Sequence, residues 1–313
     1  MIIDKAAFER YRRSPNARTT PLRLLFGTAI VVLFWMATTL AVLLGGTYAF
    51  VVWRASTGGT AAGGPVQNFL ASPEGILTAL VSFAGIWIGL WFAMRFVHRE
   101  PLAALIGDSS RVSWPGFLKG LIAVLITSLL SEILLYWLQP EIARGAIGLS
   151  TWLLFLVPIV LLALLQTSSE EALFRGYLLR GLANRFSNPL IWAGLPLLLF
   201  SALHWSASST LAINACVLVS IASFALVLTL LVYATGNLGV AFGAHLGNNL
   251  TGFLLISHQE SYNSFALFNA RPLEGPGWTG IDAVLIAAIG IVSSLLTAVL
   301  LLHPRSPLRV RPA

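Results

Sequence analysis

The sequence predicts an all-α protein, a polytopic membrane helix bundle of about eight transmembrane helices with both termini cytoplasmic. Composition is the first reason. Of 313 residues, 57% are hydrophobic and only 10% are charged, against roughly 25% charged in a soluble domain. Second, the apolar residues gather in long runs divided by turn-forming stretches. Third, lysine and arginine crowd one side of the alternating runs, as they do in cytoplasmic loops.

Residues 1–23 are a polar, cytoplasmic leader with six Lys/Arg. The first apolar run starts near Leu24 and reaches Trp53. That is too long for the core of a signal peptide, and no small-residue cleavage site follows it closely. A crossing takes about 20 apolar residues, and the runs 24–53, 76–97, 116–138, 151–185, 189–205, 211–234, 238–257 and 280–302 qualify. The fourth is long enough for its last turns to leave the hydrocarbon; the fifth is short. Turn residues fit the gaps: "TGGTAAGGP" at 57–65, "FSNP" at 186–189 and "TGN" at 235–237. The expected organisation is three spans over 24–149, a four-helix core over 150–257, an extracytoplasmic loop over 258–279, a last span over 280–302 and a cytoplasmic tail over 303–313.

With the N-terminus inside, sixteen Lys/Arg fall at cytoplasmic ends, Arg18, Arg175 and Arg180 among them, and only Arg54, Arg144 and Arg271 fall outside. Both termini are basic, so the number of spans is even. Trp53, Trp114, Trp137, Trp152, Trp205 and Trp278 lie near span ends, as an aromatic belt would. The net charge of +7 reads as orientation signal and contact with anionic lipid. No basic stripe with interleaved aromatics is present, so nucleic acid is not an expected partner. Cys216, the only cysteine, excludes an internal disulfide and a cysteine metal cluster. The expected location is a bacterial cytoplasmic membrane.

Ionisable side chains inside spans cost about 2.5–3.5 kcal/mol on insertion scales, face the bundle interior and usually have a function. Here they are Glu132, Glu170, Glu171, Arg175, His204 and His245, joined by the amide Asn249. Glu171 and Arg175, four apart, share a face and can pair. Glu170 projects about 100° away and needs another partner. Phe200 and His204 share a face of the fifth span. Glu170 lies seventeen residues before Ser187, the centre of the intervening turn, and His204 seventeen after; in an antiparallel pair they reach similar depth. His245 and Asn249 are again four apart. His245 stands only about 12 Å beyond its own turn at 1.5 Å per residue, shallower than Glu170 unless the fourth and fifth helices extend past the membrane. Ser168 and Ser169 are expected to bond back to their helix. Glu132 shows no evident partner. Asp282 suits a helix start, and His98, His258 and His303 suit interfaces.

Two carboxylates, two imidazoles and an amide from three spans are the parts for hydrolysis by an activated water. Glu170-Glu171-x-x-x-Arg175, Phe200-x-x-x-His204 and His245-x-x-x-Asn249, in this order on successive helices, resemble the CPBP family. That family groups type II CAAX prenyl proteases, the Rce1-like enzymes, with bacteriocin-processing and immunity-associated Abi proteins. The resemblance covers roughly residues 150–255. It implies an intramembrane endopeptidase in which Glu170 and His204 activate water and His245 and Asn249 stabilise the oxyanion. Glu171 follows as the second motif carboxylate and Arg175 as its support. The family is commonly labelled metalloprotease, and Glu170, His204 and His245 could hold a catalytic zinc. There is no His-Glu-x-x-His pair on one helix, and a metal-free mechanism uses the same residues, so no obligatory cofactor is expected. The partners expected are the bilayer and a peptide or protein substrate, free or membrane-anchored.

Two other functions fit these polar groups. A non-catalytic peptide-binding or bacteriocin-immunity protein would keep them as a fold constraint. An ion-coupled transporter would use them as a relay, but its interrupted helices should recur in two halves, and the first half here has no counterpart.

Overall fold

Apolar helices occupy all eight predicted runs, but they differ in length. The computed structural model describes residues 5–13, 19–57, 64–138, 140–259, 261–274 and 277–312. Residues 58–63 of the predicted first turn, and Arg18, lie outside them. Helix α1 is Lys5–Arg12. Then follow α2, Pro21–Ser56; the short α3, Pro65–Leu70; α4, Pro73–His98; α5, Trp114–Leu138; and α6, Leu149–Arg185. After these come α7, Leu190–Ala202; α8, Leu211–Thr235; α9, Gly239–Leu250, extended by a π turn at Thr251–Leu255; and α10, Gly280–Leu302.

Among the described residues, six of these helices are long and apolar enough to cross a bilayer. The two predicted spans that fall short are α7 and α9. Helix α7 starts after Pro189 and stops where the apolar run gives way to the polar stretch "HWSASST". Helix α9 has 12 residues plus a five-residue π turn, about 25 Å at 1.5 Å per residue. Neither matches a hydrocarbon core of about 30 Å. Helix α9 is packed among the longer helices, with Gly239–Gly247 all buried, whereas α7 buries Phe200 but leaves Leu190, Leu195, Leu198 and Leu199 exposed.

Local signals explain the boundaries. The Thr20 and Ser72 hydroxyls accept from backbone N–H groups three residues on, capping α2 and α4, each of which begins with proline. Thr279 and Asp282 form a capping box on α10, the helix-start role expected of Asp282. Helix α8 ends on Gly236 at φ +64. A Cβ there would lie 2.7 Å from the Ala7 carbonyl oxygen, so glycine serves both the left-handed turn and the close approach of α1.

Both chain ends meet at one end of the bundle. Arg10 pairs with Asp108 at 2.6 Å, Lys119 Nζ donates to the Arg309 carbonyl, and Gly107 bridges Asn237. This gathering agrees with an even number of passages. At the opposite end a small sheet, ordered β1 (Ile142–Arg144), β3 (Phe268–Ala270), β2 (Ile256–Ser257), ties the outer loops together. Pair β1–β3 is antiparallel and β2–β3 parallel.

The predicted polar leader contains a docked element. Helix α1 buries Ala7, Phe8 and Tyr11, and the Tyr11 hydroxyl bonds to the carbonyls of Leu105, at 2.8 Å, and Arg175, at 3.2 Å. Burial pushes the Tyr11 hydroxyl up from its ordinary pKa, so it remains a donor at neutral pH. Arg175 and Arg180, counted with the cytoplasmic charges, are buried; Arg180 pairs with Glu100 at 3.0 Å. An internal partner replaces the lipid headgroup for each.

Candidate active site

The site is built on α6, α7 and α9, and each brings its groups inward for a local reason. In α9 every residue from Gly239 to Gly247 is buried. A Cβ on Gly243 would strike the Phe117 carbonyl, and one on Gly120 would strike the Val240 carbonyl. Small residues thus let α9 press directly on α5, and this seats His245 in the interior. In α6 regular helix ends at Glu171 and a π segment, Ala172–Leu179, follows, all eight of its residues buried. Such wide turns often mark functional sites.

The depth of His245 follows from this packing. Leu238, just before α9, lies beside Gly176, where a Cβ would be 3.2 Å from it. Glu170 is six residues before Gly176 and His245 seven after Leu238. The helices run antiparallel, so the two groups come level. Helix α6 continues to Arg185, past the start of α9, which removes the mismatch that counting from the turn suggested.

Glu171 and Arg175 pair as expected, Nη1 to Oε1 at 2.9 Å, both fully buried. The guanidinium also donates to the Ala225 carbonyl at 3.2 Å and stands 4.5 Å over the Phe200 ring. His245 donates from Nδ1 to the same Glu171 Oε1 at 2.9 Å and turns Nε2 toward Glu170 Oε2 at 3.6 Å. The imidazole therefore lies between the two carboxylates. Phe200 contacts both histidines, with ring centroids 4.9 Å from His204 and 5.8 Å from His245.

His204 stands just past the end of α7 rather than within a span. Its Nδ1 donates to the Phe200 carbonyl at 2.9 Å, which leaves Nε2 of a neutral ring as an acceptor. It is the most open member of the set. Asn249 Nδ2 donates to Gln166 Oε1 at 3.3 Å, and Gln166 Nε2 approaches Glu170 Oε1 at 3.5 Å. The sequence reading missed Gln166. Its signal was there: a lone amide four residues before Glu170, on the same helix face. Ser168 and Ser169 bond back to carbonyls of their own helix, as expected.

Glu170, Phe200, His204, His245 and Asn249 line one chamber of about 770 Å³. Glu171 and Arg175 sit behind its wall. Glu132 lines the far part of the same chamber and does have a partner: His258 Nε2 at 2.9 Å. The two are 126 residues apart, and the pairing depends on the outer loop folding back over α5.

The chemistry available is proton transfer beside a carbonyl. Glu170 can accept a proton, His204 Nε2 can accept a hydrogen bond, and Asn249 has a further N–H to donate. Separations of 3.5–3.6 Å around Glu170 leave its carboxylate with long, weak contacts and open to the chamber. Among the described residues, no three His, Cys, Asp or Glu side chains group so as to hold a metal ion. Glu170, His204 and His245 therefore do not come together as the zinc set considered from sequence, and the metalloprotease label has no support in these residues.

Comparison with known proteins places the match on these same helices. Residues 150–251 match the family model described as type II CAAX prenyl endopeptidase Rce1-like. The uncharacterized protein YyaK of Bacillus subtilis (strain 168) is 27% identical over 176 residues, 55% of this chain. The match spans 58% of that relative's length. No solved structure matches the chain.

Proposed function

Residues 150–251 carry an Rce1-like domain, and from that premise we propose that this chain is an intramembrane endopeptidase that cleaves by an activated water. The domain match supports a CAAX-protease-like membrane protease in general terms. The observation that carries the finer assignment is the convergence of Glu170, His204, His245 and Asn249 on one chamber wall.

In the proposed mechanism, water bound between Glu170 and His204 Nε2 attacks the scissile carbonyl carbon and gives a proton to Glu170. The carbonyl oxygen becomes an oxyanion and accepts hydrogen bonds from Asn249 and His245. His245 can donate there only as imidazolium, because Nδ1–H is committed to Glu171; in the neutral ring Nε2 is an acceptor. Collapse of the intermediate breaks the C–N bond, and Glu170 returns its proton to the leaving amine. Arg175, itself packed on the Phe200 ring, holds Glu171, so Glu171 acts by orienting His245 rather than by touching substrate.

The test is peptidomics of cells carrying wild-type or variant protein. Glu170→Gln and His204→Ala should each lower the yield of new peptide termini by about 100- to 10,000-fold while the protein still inserts and folds. Normal cleavage by both variants would refute the assignment.

A further inference from the structure

The chamber holds a second ionisable pair that the cleavage mechanism does not use. Glu132 and His258 face each other across its outer part, 14% and 27% exposed. Their distance from the first site follows from helix rise. A Cβ on Gly120 would be 2.9 Å from the Ala244 nitrogen and one on Gly247 3.0 Å from the Leu121 carbonyl oxygen, so His245 is level with Leu121. Glu132 is eleven residues further along α5, about 16 Å outward at 1.5 Å per residue. An extended peptide rises about 3.3 Å per residue, so a chain lying along the chamber reaches Glu132 about five residues from a bond held at Glu170.

The sign of the lining is one-sided. Among the described residues that line the chamber, the carboxylates are Glu132 and Glu170, and there is no lysine, arginine or aspartate. The one guanidinium close by, Arg175, is buried behind the wall in its bond to Glu171. An anionic group entering the chamber meets carboxylates and no permanent cation. A cationic group meets Glu132, whose carboxylate has about four lone-pair positions, with one oxygen engaged by His258. The remaining lining is uncharged side chains, apolar (Leu80, Ile289), hydroxylic (Ser128) or amide (Asn248), together with His204 and His245.

Resting on the endopeptidase assignment, we infer that Glu132 is a specificity-determining residue that selects a cationic side chain about five positions from the cleaved bond of an otherwise apolar peptide. The substrate class is an apolar segment bearing Lys or Arg. His258 orients Glu132 and yields one hydrogen bond when the cation binds.

The experiment uses the full chain in lipid nanodiscs and quenched fluorescent peptides with an apolar centre. Lys, Gln or Glu is placed at the fourth, fifth or sixth position on either side of the central bond. The wild type should cleave the Lys peptides with kcat/KM at least about tenfold above the Gln peptides, with Glu peptides slowest. Glu132→Gln should level the ranking, and Glu132→Lys should invert it. The isosteric Glu132→Gln guards against misfolding of the reversal variant. An unchanged ranking in Glu132→Lys, or no ranking in the wild type, would overturn the inference while leaving cleavage intact. Anisotropy binding of the same peptides to Glu170→Gln separates the two ideas. A Lys preference in binding without any wild-type cleavage would uphold charge selection and remove the endopeptidase assignment.

Discussion

Gln166 joins Asn249 to Glu170 through two long hydrogen bonds, 3.3 and 3.5 Å. It accepts from Asn249 with its carbonyl oxygen, so its amide nitrogen must face Glu170. One side chain therefore couples the proposed oxyanion donor to the proposed base. Gln166→Met keeps the length and removes both contacts. It should lower kcat by about tenfold, near the 1–1.5 kcal/mol of one or two hydrogen bonds, with KM little changed. Steady-state kinetics check this, and a double-mutant cycle with Asn249→Ala should be non-additive. Additive effects with a raised KM would make Gln166 a lining residue only. At the same scale, Glu170 and Glu171 are neighbours in sequence with opposite environments. Glu171 is sealed and bound to two cationic or imidazole partners; Glu170 faces the chamber. Adjacent helix positions 100° apart suffice to divide a structural carboxylate from a reactive one.

At the scale of elements, the site depends on how closely α9 approaches α5. Gly243 and Gly120 put backbone against backbone there. Gly243→Ala should shift α9 outward, drop the thermal midpoint as an overpacked core does, by about 1–3 kcal/mol of stability, and weaken cleavage more than Gly45→Ala. Gly45 has open space where a Cβ would go. Thermal unfolding and activity measured on both variants test this; equal losses would refute it. The π segment of α6 carries the same logic. It turns Arg175 toward Phe200 and leaves the Arg175 carbonyl to the Tyr11 hydroxyl of α1, so α1 supports the backbone turn that carries the buried guanidinium.

For the whole molecule, both termini lie at one end and the small sheet at the other. In a Cys216→Ser background, single cysteines at Lys5 and Arg311 should label with an impermeant maleimide only after the membrane is opened from the inside. Cysteines at Arg144 and Arg271 should label from outside. Labelling of all four from one side would refute the orientation. With that orientation the Glu132–His258 end of the chamber faces the extracytoplasmic side, where the sheet tethers the loop that carries His258.

Segments such as Trp114–Leu138 and Leu211–Thr235 could be read within two residues from hydropathy, because every backbone group in lipid must be bonded within its own helix. The i,i+4 spacing of Glu171 and Arg175 gave their pairing for the same local reason, and equal counts about Ser187 put Glu170 and His204 at one depth. Contacts between distant segments followed another logic. The shortness of α7 was legible in its run, but neither the level of His245, the partner of Glu132, the docking of Tyr11 nor the shortness of α9 as a span has a periodic signal. Each depends on which glycine meets which carbonyl and on how far one helix overhangs the next, quantities set by packing between segments up to 164 residues apart.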